Sequence, residues 1–331
     1  LSQAISIGNQ ADIDIVNCSI RNNSNCIYCS DSNPVINHSV IEHNAGTGIY
    51  CLSYSTLSLT NSVIRFNNDF GIYLKDTLST TIKNNWIHNN GADGYGDYDC
   101  GIFFDGQISQ PLVRNNTIID NLRYGIYSYY GTEPNVVNCI LYENGTQLGT
   151  YSGEPLENVR YSCIEGGYDG TGNISSDPLF MNPADPNDFH IDEDSPCKDA
   201  GDPNGNYGDE TDIDGEARII NARVDMGADE YYWSPADFNR DEIVNFFDYA
   251  LFANAWQSEA NDDNYNEDCD LEDNNSIDYN DLAVFCDDWL WEAAWDEGWM
   301  MCLGGMGFGF ESISLESSKT ALTSDRDALM L

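Results

Sequence analysis

Residues 237–248 read DFNRDEIVNFFD and carry oxygen-bearing side chains at a spacing that suits metal binding. The first, third, fifth, ninth and twelfth positions are Asp237, Asn239, Asp241, Asn245 and Asp248. The seventh position, Ile243, offers a backbone carbonyl. Because Ca²⁺ is a hard cation that takes several oxygen ligands from one short loop, this stretch predicts a calcium loop.

The same arrangement returns further along the chain, where Asp270 takes the place of Asp237. The second set of ligands is Asp270, Glu272, Asn274, Ser276 (through its carbonyl), Asp278 and Asp281. The following residues also match, YALFANAW against LAVFCDDW, which predicts a helix after each loop. An acidic helical hairpin without metal is the alternative, but the paired register favours two calcium loops.

This duplicated loop and helix resembles a type I dockerin, a calcium-folded module that docks onto a cohesin. The resemblance covers residues 235–291 and implies Ca²⁺ as the cofactor and a cohesin-type protein as the partner. The sequence departs from the family at position six, where Glu242 and Asn275 replace the usual Gly, and at Glu272, which is longer than the usual Asp or Asn. Because Asn adopts a left-handed turn more easily than Glu, we expect the first loop to bind calcium more weakly.

The first half of the chain repeats with a period of about 23 residues. The repeats align on one apolar column: Ile20, Ile41, Ile64, Ile87, Ile118, Leu141 and Ile164. Asn recurs at two further positions, in columns that begin at Asn17 and Asn23. Asn tolerates left-handed corners, and stacked Asn amides can bond to one another. Short alternating strands with a period too short for helical crossovers predict a solenoid of stacked parallel strands.

These repeats resemble the right-handed parallel β-helix of pectate-lyase-like proteins over about residues 1–175. We therefore predict an all-β solenoid followed by a small α-helical domain. The fold hosts lyases, hydrolases, epimerases, adhesins and inert stalks, so the resemblance selects no activity. We expect an incomplete first coil, a cap of the β-helix at residues 176–233, the dockerin-like pair at 234–295 and a disordered tail or sorting signal at 296–331.

A column of aromatic residues is predicted to face outward from the solenoid. Its members are Tyr28, Tyr50, Tyr73, Phe103 and Tyr127. Sugar rings could stack on this column, or the side chains could stack on one another and stabilise the sheet. We favour self-stacking, because aromatic side chains fit pleated surfaces in any case.

The hypothesis that the protein is an enzyme rests on its resemblance to the β-helix family. Lyases of this fold combine acids that hold calcium with a Lys or Arg that removes the proton beside a uronate carboxylate. Lys83 and Arg114 share an outward column near an eight-residue insertion. The resemblance implies either of them as the base and Asp97, Asp99 and Asp105 as metal ligands. A hydrolase could use those acids as its carboxylate pair, and an ordinary surface loop is the third possibility.

Amino-acid composition argues against several kinds of partner and indicates the compartment of the protein. A net charge of −43 argues against nucleic acid and anionic membranes as partners, and no apolar run predicts a spanning helix. Eleven cysteines indicate an oxidising compartment. Cys269 and Cys286 are interpreted as a disulfide, and Cys29 and Cys51 as either a disulfide or two buried thiols. We expect His88 on the surface.

Taken together, these features predict an extracellular or cell-surface protein of the bacterial secreted type. It would associate with polysaccharide and be tethered through its calcium-binding pair. A calcium-dependent polysaccharide lyase or glycoside hydrolase, a non-catalytic carbohydrate-binding protein and an adhesive or structural stalk all stay open.

Overall fold

A computed structural model describes residues 3–91, 98–106, 110–182, 185–220, 223–241 and 243–291. They fall into two compact units, one ending at Tyr231 and the other beginning at Tyr232. Among the described residues, neither helix has the length and apolar character that spanning a bilayer requires. The predicted tail and most of the predicted insertion lie outside the described residues.

The first unit contains a parallel solenoid of about seven coils, built from three sheets of seven strands each. The first sheet comprises Gln3–Ile7, Asn25–Ser30, Ile49–Leu52, Ile72–Lys75, Cys100–Asp105, Tyr124–Ser128 and Thr146–Thr150. The second comprises Asp12–Val16, Asn33–Asn37, Thr56–Thr60, Ser79–Lys83, Leu112–Arg114, Asn135–Val137 and Val159–Arg160. The third comprises Ser19–Arg21, Val40–Glu42, Val63–Arg65, Trp86–His88, Thr117–Ile119, Ile140–Tyr142 and Cys163–Ile164.

The predicted apolar column is confirmed by the register of the third sheet. Ile20 pairs with Ile41, and the pairing continues in steps of one coil through Leu141 to Ile164. All seven side chains of the column are buried, because alternation along each short strand sends them to the inside. A coil cannot bury this face alone, so each coil depends on its neighbours.

The two Asn columns have different structural roles. The column that begins at Asn17 holds left-handed corners throughout, with φ between 45° and 55° at its Asn members. The column that begins at Asn23 forms an amide ladder through Asn44, Asn67, Asn90, Asn121 and Asn144, with Nδ2–Oδ1 distances from 2.8 to 3.3 Å. The ladder also explains a neighbouring Gly column, since a Cβ at Gly71 would meet the Asn90 amide nitrogen at 2.9 Å.

Residues 176–231, here called the return segment, have no long strands among their described residues and are joined to the solenoid by polar contacts. The Thr211 carbonyl accepts from the Asn84 side chain at 2.7 Å, and Tyr207 accepts from the Asn138 side chain at 2.8 Å. Arg160, near the end of the solenoid, pairs with Asp202. The segment therefore meets the last coils and also runs back along one side of the solenoid.

The second unit is described as far as residue 291 and contains two helices, Phe246–Ala255 and Tyr279–Asp287, with a 3₁₀ turn at Glu267–Cys269. Each helix begins with a capping box, whose N-cap is Asn245 in the first and Asp278 in the second. Phe252 and Phe285 stack at 5.5 Å in the shared core of this unit.

Candidate functional site

The first predicted calcium loop gathers carboxylates. One oxygen from each of Asp237, Asp241 and Asp248 lies within 4.8 Å of the others. Asp248 is fully buried at the first turn of the first helix and accepts the backbone N–H groups of Asn239 at 3.2 Å and Asn245 at 2.9 Å. The backbone of the first loop is therefore held by hydrogen bonds to the Asp248 carboxylate.

The second loop repeats these contacts at the corresponding positions. Asp281 is fully buried and accepts the N–H groups of Glu272 at 3.2 Å and Asp278 at 2.7 Å. Asp270 accepts the N–H of Asn274 at 3.0 Å, as Asp237 accepts that of Asp241 at 3.2 Å. The described residues of the two loops thus share the same pattern of backbone hydrogen bonds to the first and last acids.

The loops differ at their third ligand position. Asp241 is a carboxylate, whereas its counterpart in the second loop is the neutral amide of Asn274. At positions three and nine the order is reversed, since Asn239 and Asn245 correspond to Glu272 and Asp278. Asn275 takes the left-handed turn at position six, with φ of 67°. Glu242, its counterpart, lies outside the described residues, so the weaker binding expected of the first loop stays a prediction.

Hydrogen bonds to Asp270 favour its charged form. Although burial pushes the pKa of Asp270 upward, the Tyr265 hydroxyl at 2.7 Å and the N–H groups of the loop together hold it below its usual value. A carboxylate held ionised by donors is ready to bind a cation.

The interpretation of Cys269 and Cys286 as a disulfide is wrong in this structure. Both are free thiols in different surroundings: Cys269 is buried against Phe252 and Ile277, whereas Cys286 is exposed on the second helix. Cys29 and Cys51 pair across adjacent strands and are also free and fully buried, so the second of their two interpretations applies.

The surface of the two helices is unusually apolar. Phe246 and Phe247 begin the first helix with exposed fractions of 75% and 72%, and Tyr279 begins the second helix at 72%. A groove of about 260 Å³ lies on this surface. It is lined by Phe246, Tyr249, Leu282, Phe285, Cys286 and Trp289. Exposed aromatic groups of this kind mark binding surfaces.

The predicted aromatic column is a continuous stack on the first sheet. Successive ring centroids from Tyr28 to Tyr127 lie 4.5 to 5.8 Å apart, with interplanar angles of 13° or less. Phe103 and Tyr127 are buried at 5% exposure, and Tyr28, Tyr50 and Tyr73 are half-buried. Self-stacking accounts for this geometry, and sugar contact at the three half-buried rings stays a prediction.

The predicted catalytic groups are not gathered by the described structure. Lys83 and Arg114 pair across adjacent strands of the second sheet, and both bind the same oxygen of Glu210 in the return segment, Lys83 at 2.8 Å. Asp105 lies on the first sheet with Lys75 at 2.9 Å, and Asp99 is a buried residue just before that strand. Asp97 lies outside the described residues.

Glu210 is ionised by its two partners. Burial raises its pKa, but the hydrogen bond from Lys83 and the charge of Arg114 outweigh this and lower the pKa below its ordinary value. Arg114 also lies over the Tyr207 ring, 5.0 Å from its centroid. Both cations therefore serve as attachment points of the return segment in this structure.

His88 was expected on the surface and is fully buried. The ring of Phe189 from the return segment packs against it at 4.8 Å, so the surface position is wrong. Sequence reasoning also missed a group of His190, Asp214 and Asp229 in the return segment, whose ligand atoms lie within 4.8 Å of one another. The positions of these three residues follow no repeat of the chain, so no sequence pattern could reveal the group.

Comparison with known proteins agrees with the solenoid. A family model described as "Right handed beta helix region" matches residues 3–160, a little under half of the chain. These residues lie within the parallel solenoid.

A solved structure described as "Crystal structure of pectate lyase Pel9A" is similar at a TM-score of 0.35 and 13% identity, over 65% of this chain and 70% of that chain. No curated protein matches the chain. A likeness this distant carries no argument about activity.

Proposed function

We propose that this protein is a secreted, polysaccharide-associated β-helix protein that is tethered to a partner protein through a calcium-loaded, dockerin-like pair. The observation that carries the proposal is the matching hydrogen bonding of the two loops, each of which closes on a fully buried Asp. A chance acidic hairpin has no reason to repeat both the ligand spacing and the pattern of backbone hydrogen bonds.

Calcium would bind to the oxygen atoms at the predicted ligand positions of the two loops. In the first loop these belong to Asp237, Asn239, Asp241, Asn245, Asp248 and the carbonyl of Ile243. In the second they belong to Asp270, Glu272, Asn274, Asp278, Asp281 and the carbonyl of Ser276. The cation would offset repulsion among the clustered carboxylates and hold each loop against the helix that follows it.

Isothermal titration of chelator-treated protein with Ca²⁺ tests this step. We expect two sites in the wild type and one in each of Asp248→Ala and Asp281→Ala, while Asp263→Asn, an exposed acid outside both loops, keeps two. Absence of binding heat together with a melting temperature that calcium leaves unchanged would overturn the calcium proposal.

The docking surface would be the exposed aromatic residues at the start of each helix. Phe246 and Tyr279 occupy equivalent positions of the two repeats, so the unit presents two similar apolar surfaces. Burying one such side chain in a partner contributes roughly 1.5–3 kcal/mol. These surfaces suit a cohesin-type partner with complementary apolar residues.

Binding to a panel of cohesins, with calcium and with chelator, tests the tether. We expect calcium-dependent capture that Phe246→Ala and Tyr279→Ala together weaken at least tenfold. Tyr54→Ala, an exposed ring on the solenoid, serves as the matched control. Failure to bind any cohesin while calcium still binds would leave a calcium module without this partner.

Binding rather than catalysis is proposed for the β-helix, because the described structure commits Lys83 and Arg114 to Glu210 and places Asp105 on another sheet. The half-buried edges of Tyr28, Tyr50 and Tyr73 would contact sugar rings.

Affinity electrophoresis against acidic and neutral polysaccharides should show retardation that a Tyr28→Ala, Tyr50→Ala double variant reduces. A product assay with calcium and with chelator accompanies it. Calcium-dependent release of unsaturated uronides would establish a lyase instead. New reducing ends without unsaturation would establish a hydrolase. No retardation and no product in either assay would indicate a stalk.

A further inference from the structure

His190 is the centre of a buried polar group in the return segment. It is 2% exposed, and both ring nitrogens face carboxylates: Nδ1 lies 2.5 Å from Asp188 Oδ1, and Nε2 lies 2.8 Å from Asp214 Oδ2. The ring also packs edge-on against Trp86 of the solenoid, 5.1 Å between centroids. The group therefore lies where the return segment meets the third sheet.

Asp229 joins this group from a distant part of the segment. It is 4% exposed, and its Oδ2 accepts the N–H of Ile191 at 2.8 Å. Its other oxygen, Oδ1, receives no hydrogen bond within the described part of the chain. Asp229 also offers a carboxylate oxygen within 4.8 Å of a ligand atom of His190 and of Asp214, so three metal-binding side chains converge here.

Negative charge exceeds positive charge around His190. Four carboxyl groups, those of Asp212, Asp214, Glu216 and Asp229, share this part of the return segment. Arg218, whose charge acts on Asp212, pairs with Glu230 at 2.9 Å and donates to the backbone carbonyls of residues 225 and 227. Asp212 accepts backbone N–H groups, and among the described residues no Lys or Arg forms an ion pair with Asp214, Glu216 or Asp229.

We propose that His190 Nε2, Asp214 and Asp229 form a second and separate cation site that holds a divalent metal with mixed nitrogen and oxygen ligands, Zn²⁺ foremost. A His nitrogen combined with carboxylates suits zinc, whereas calcium takes oxygen ligands. Asp188 would accept the Nδ1 proton and thereby present the Nε2 lone pair to the metal. The metal would fasten the return segment to the solenoid beside Trp86.

The competing explanation is a protonated imidazole without metal. Although burial alone would lower the pKa of His190, Asp214 and Asp188 raise it well above its usual value. In that case His190 would bridge two carboxylates as a cation, and added zinc would change nothing. The two explanations differ in stoichiometry and in spectrum.

The test uses the full chain carrying Asp248→Ala and Asp281→Ala, so that the calcium loops do not contribute. Chelator-treated protein is titrated with Zn²⁺, and then with Co²⁺, whose visible absorption reports a nitrogen–oxygen site. We expect one equivalent of zinc, a melting temperature raised by several degrees, and a cobalt band. Asp229→Asn should weaken zinc binding at least tenfold, whereas His43→Gln, at an exposed histidine outside the group, should leave it unchanged.

His190→Gln should abolish the cobalt band. Because this variant could fail to fold, the proposal is tested independently by the zinc titrations of Asp229→Asn and of the chain in which the His190 group is intact. A histidine NMR signal for His190 with both nitrogens protonated and insensitive to zinc would overturn the proposal, as would the absence of stoichiometric zinc. Neither result bears on the calcium loops.

Discussion

The solenoid and the return segment bury polar groups in opposite ways. The solenoid buries neutral amides, and each Asn of the ladder bonds to the same residue one coil away. The return segment buries ionisable groups, among them Asp212, Arg218 and Glu230, and each of them bonds to unlike partners. A translational repeat can satisfy a polar group with its own copy, whereas a segment without a repeat needs a different partner for every group.

This difference predicts that loss of one ladder amide has the largest effect. Asn121→Ala removes the hydrogen bonds from Asn121 Nδ2 to the backbone carbonyls of Ile87 and Ile119. It also removes the two side-chain amide bonds that join Asn121 to Asn90 and to Asn144. Several buried groups lose their partners at once, so we expect a loss of about 4 kcal/mol in the free energy of unfolding. Chemical denaturation measures it.

Asn23→Ala is the matched control, because Asn23 stands at the less buried end of the same ladder and makes fewer bonds. It should cost about 1 kcal/mol or less. Equal losses at the two positions would show that the ladder is not the source of stability.

The next effect concerns the charged attachment of the return segment. Glu210→Gln leaves Lys83 and Arg114 facing each other without a counter-charge. Since these side chains are partly shielded from solvent, we expect a loss of about 2–3 kcal/mol, reduced by high salt. Limited proteolysis should cut the return segment before the solenoid, and Asp209→Asn, an exposed neighbour, should behave as the wild type.

A pH dependence follows from His88, which the return segment covers. Burial, with a smaller effect of Arg65, lowers the pKa of His88 from its ordinary 6.5 to about 3, while Asn89 at 2.7 Å opposes the shift. The folded protein therefore resists protonation, and stability present above pH 6.5 is lost as the pH falls towards 3. We expect this residue to contribute a loss of about 2 kcal/mol between pH 7 and pH 5.

Comparison of His88→Phe with the wild type at both pH values measures this contribution. Phe fits the aromatic surroundings formed by Phe66 and Phe189, and it cannot be protonated. The variant should lose less stability on acidification. An unchanged difference between pH 7 and pH 5 would contradict the assignment, and His43→Phe, at the exposed histidine, should show no effect.

The smallest effect is expected on the aromatic stack. Tyr50 lies between Tyr28 and Tyr73 at 5.8 and 4.5 Å, so Tyr50→Leu removes two ring contacts from a half-buried position. We expect a loss of about 1 kcal/mol, against none for Tyr54→Leu at an exposed ring outside the stack. A loss as large as that of Asn121→Ala would mean that the sheet face, not the amide ladder, holds the coils together.

Much of the solenoid could be predicted from residues that repeat. The Ile column, the left-handed corners beginning at Asn17 and the ladder beginning at Asn23 all follow from one period, because parallel stacking places each residue beside its counterpart. The sequence did not reveal the further bond between Asn85 and Asn116, whose column also contains Ser and Cys. The correspondence between the two predicted calcium loops was likewise visible from spacing alone, and calcium binding by them stays a prediction.

The sequence by itself therefore determined which residue of the neighbouring coil contacts each residue of a coil, and which positions of the two loops correspond. Only the tertiary structure decided which residues of the return segment contact the coils and one another. Glu210 reaches Lys83 across 127 residues, Phe189 covers His88, and His190 meets Asp214 and Asp229 at no regular spacing. A period predicts the contact between copies of one residue, but a contact between unlike residues far apart in the chain depends on how the whole chain folds back.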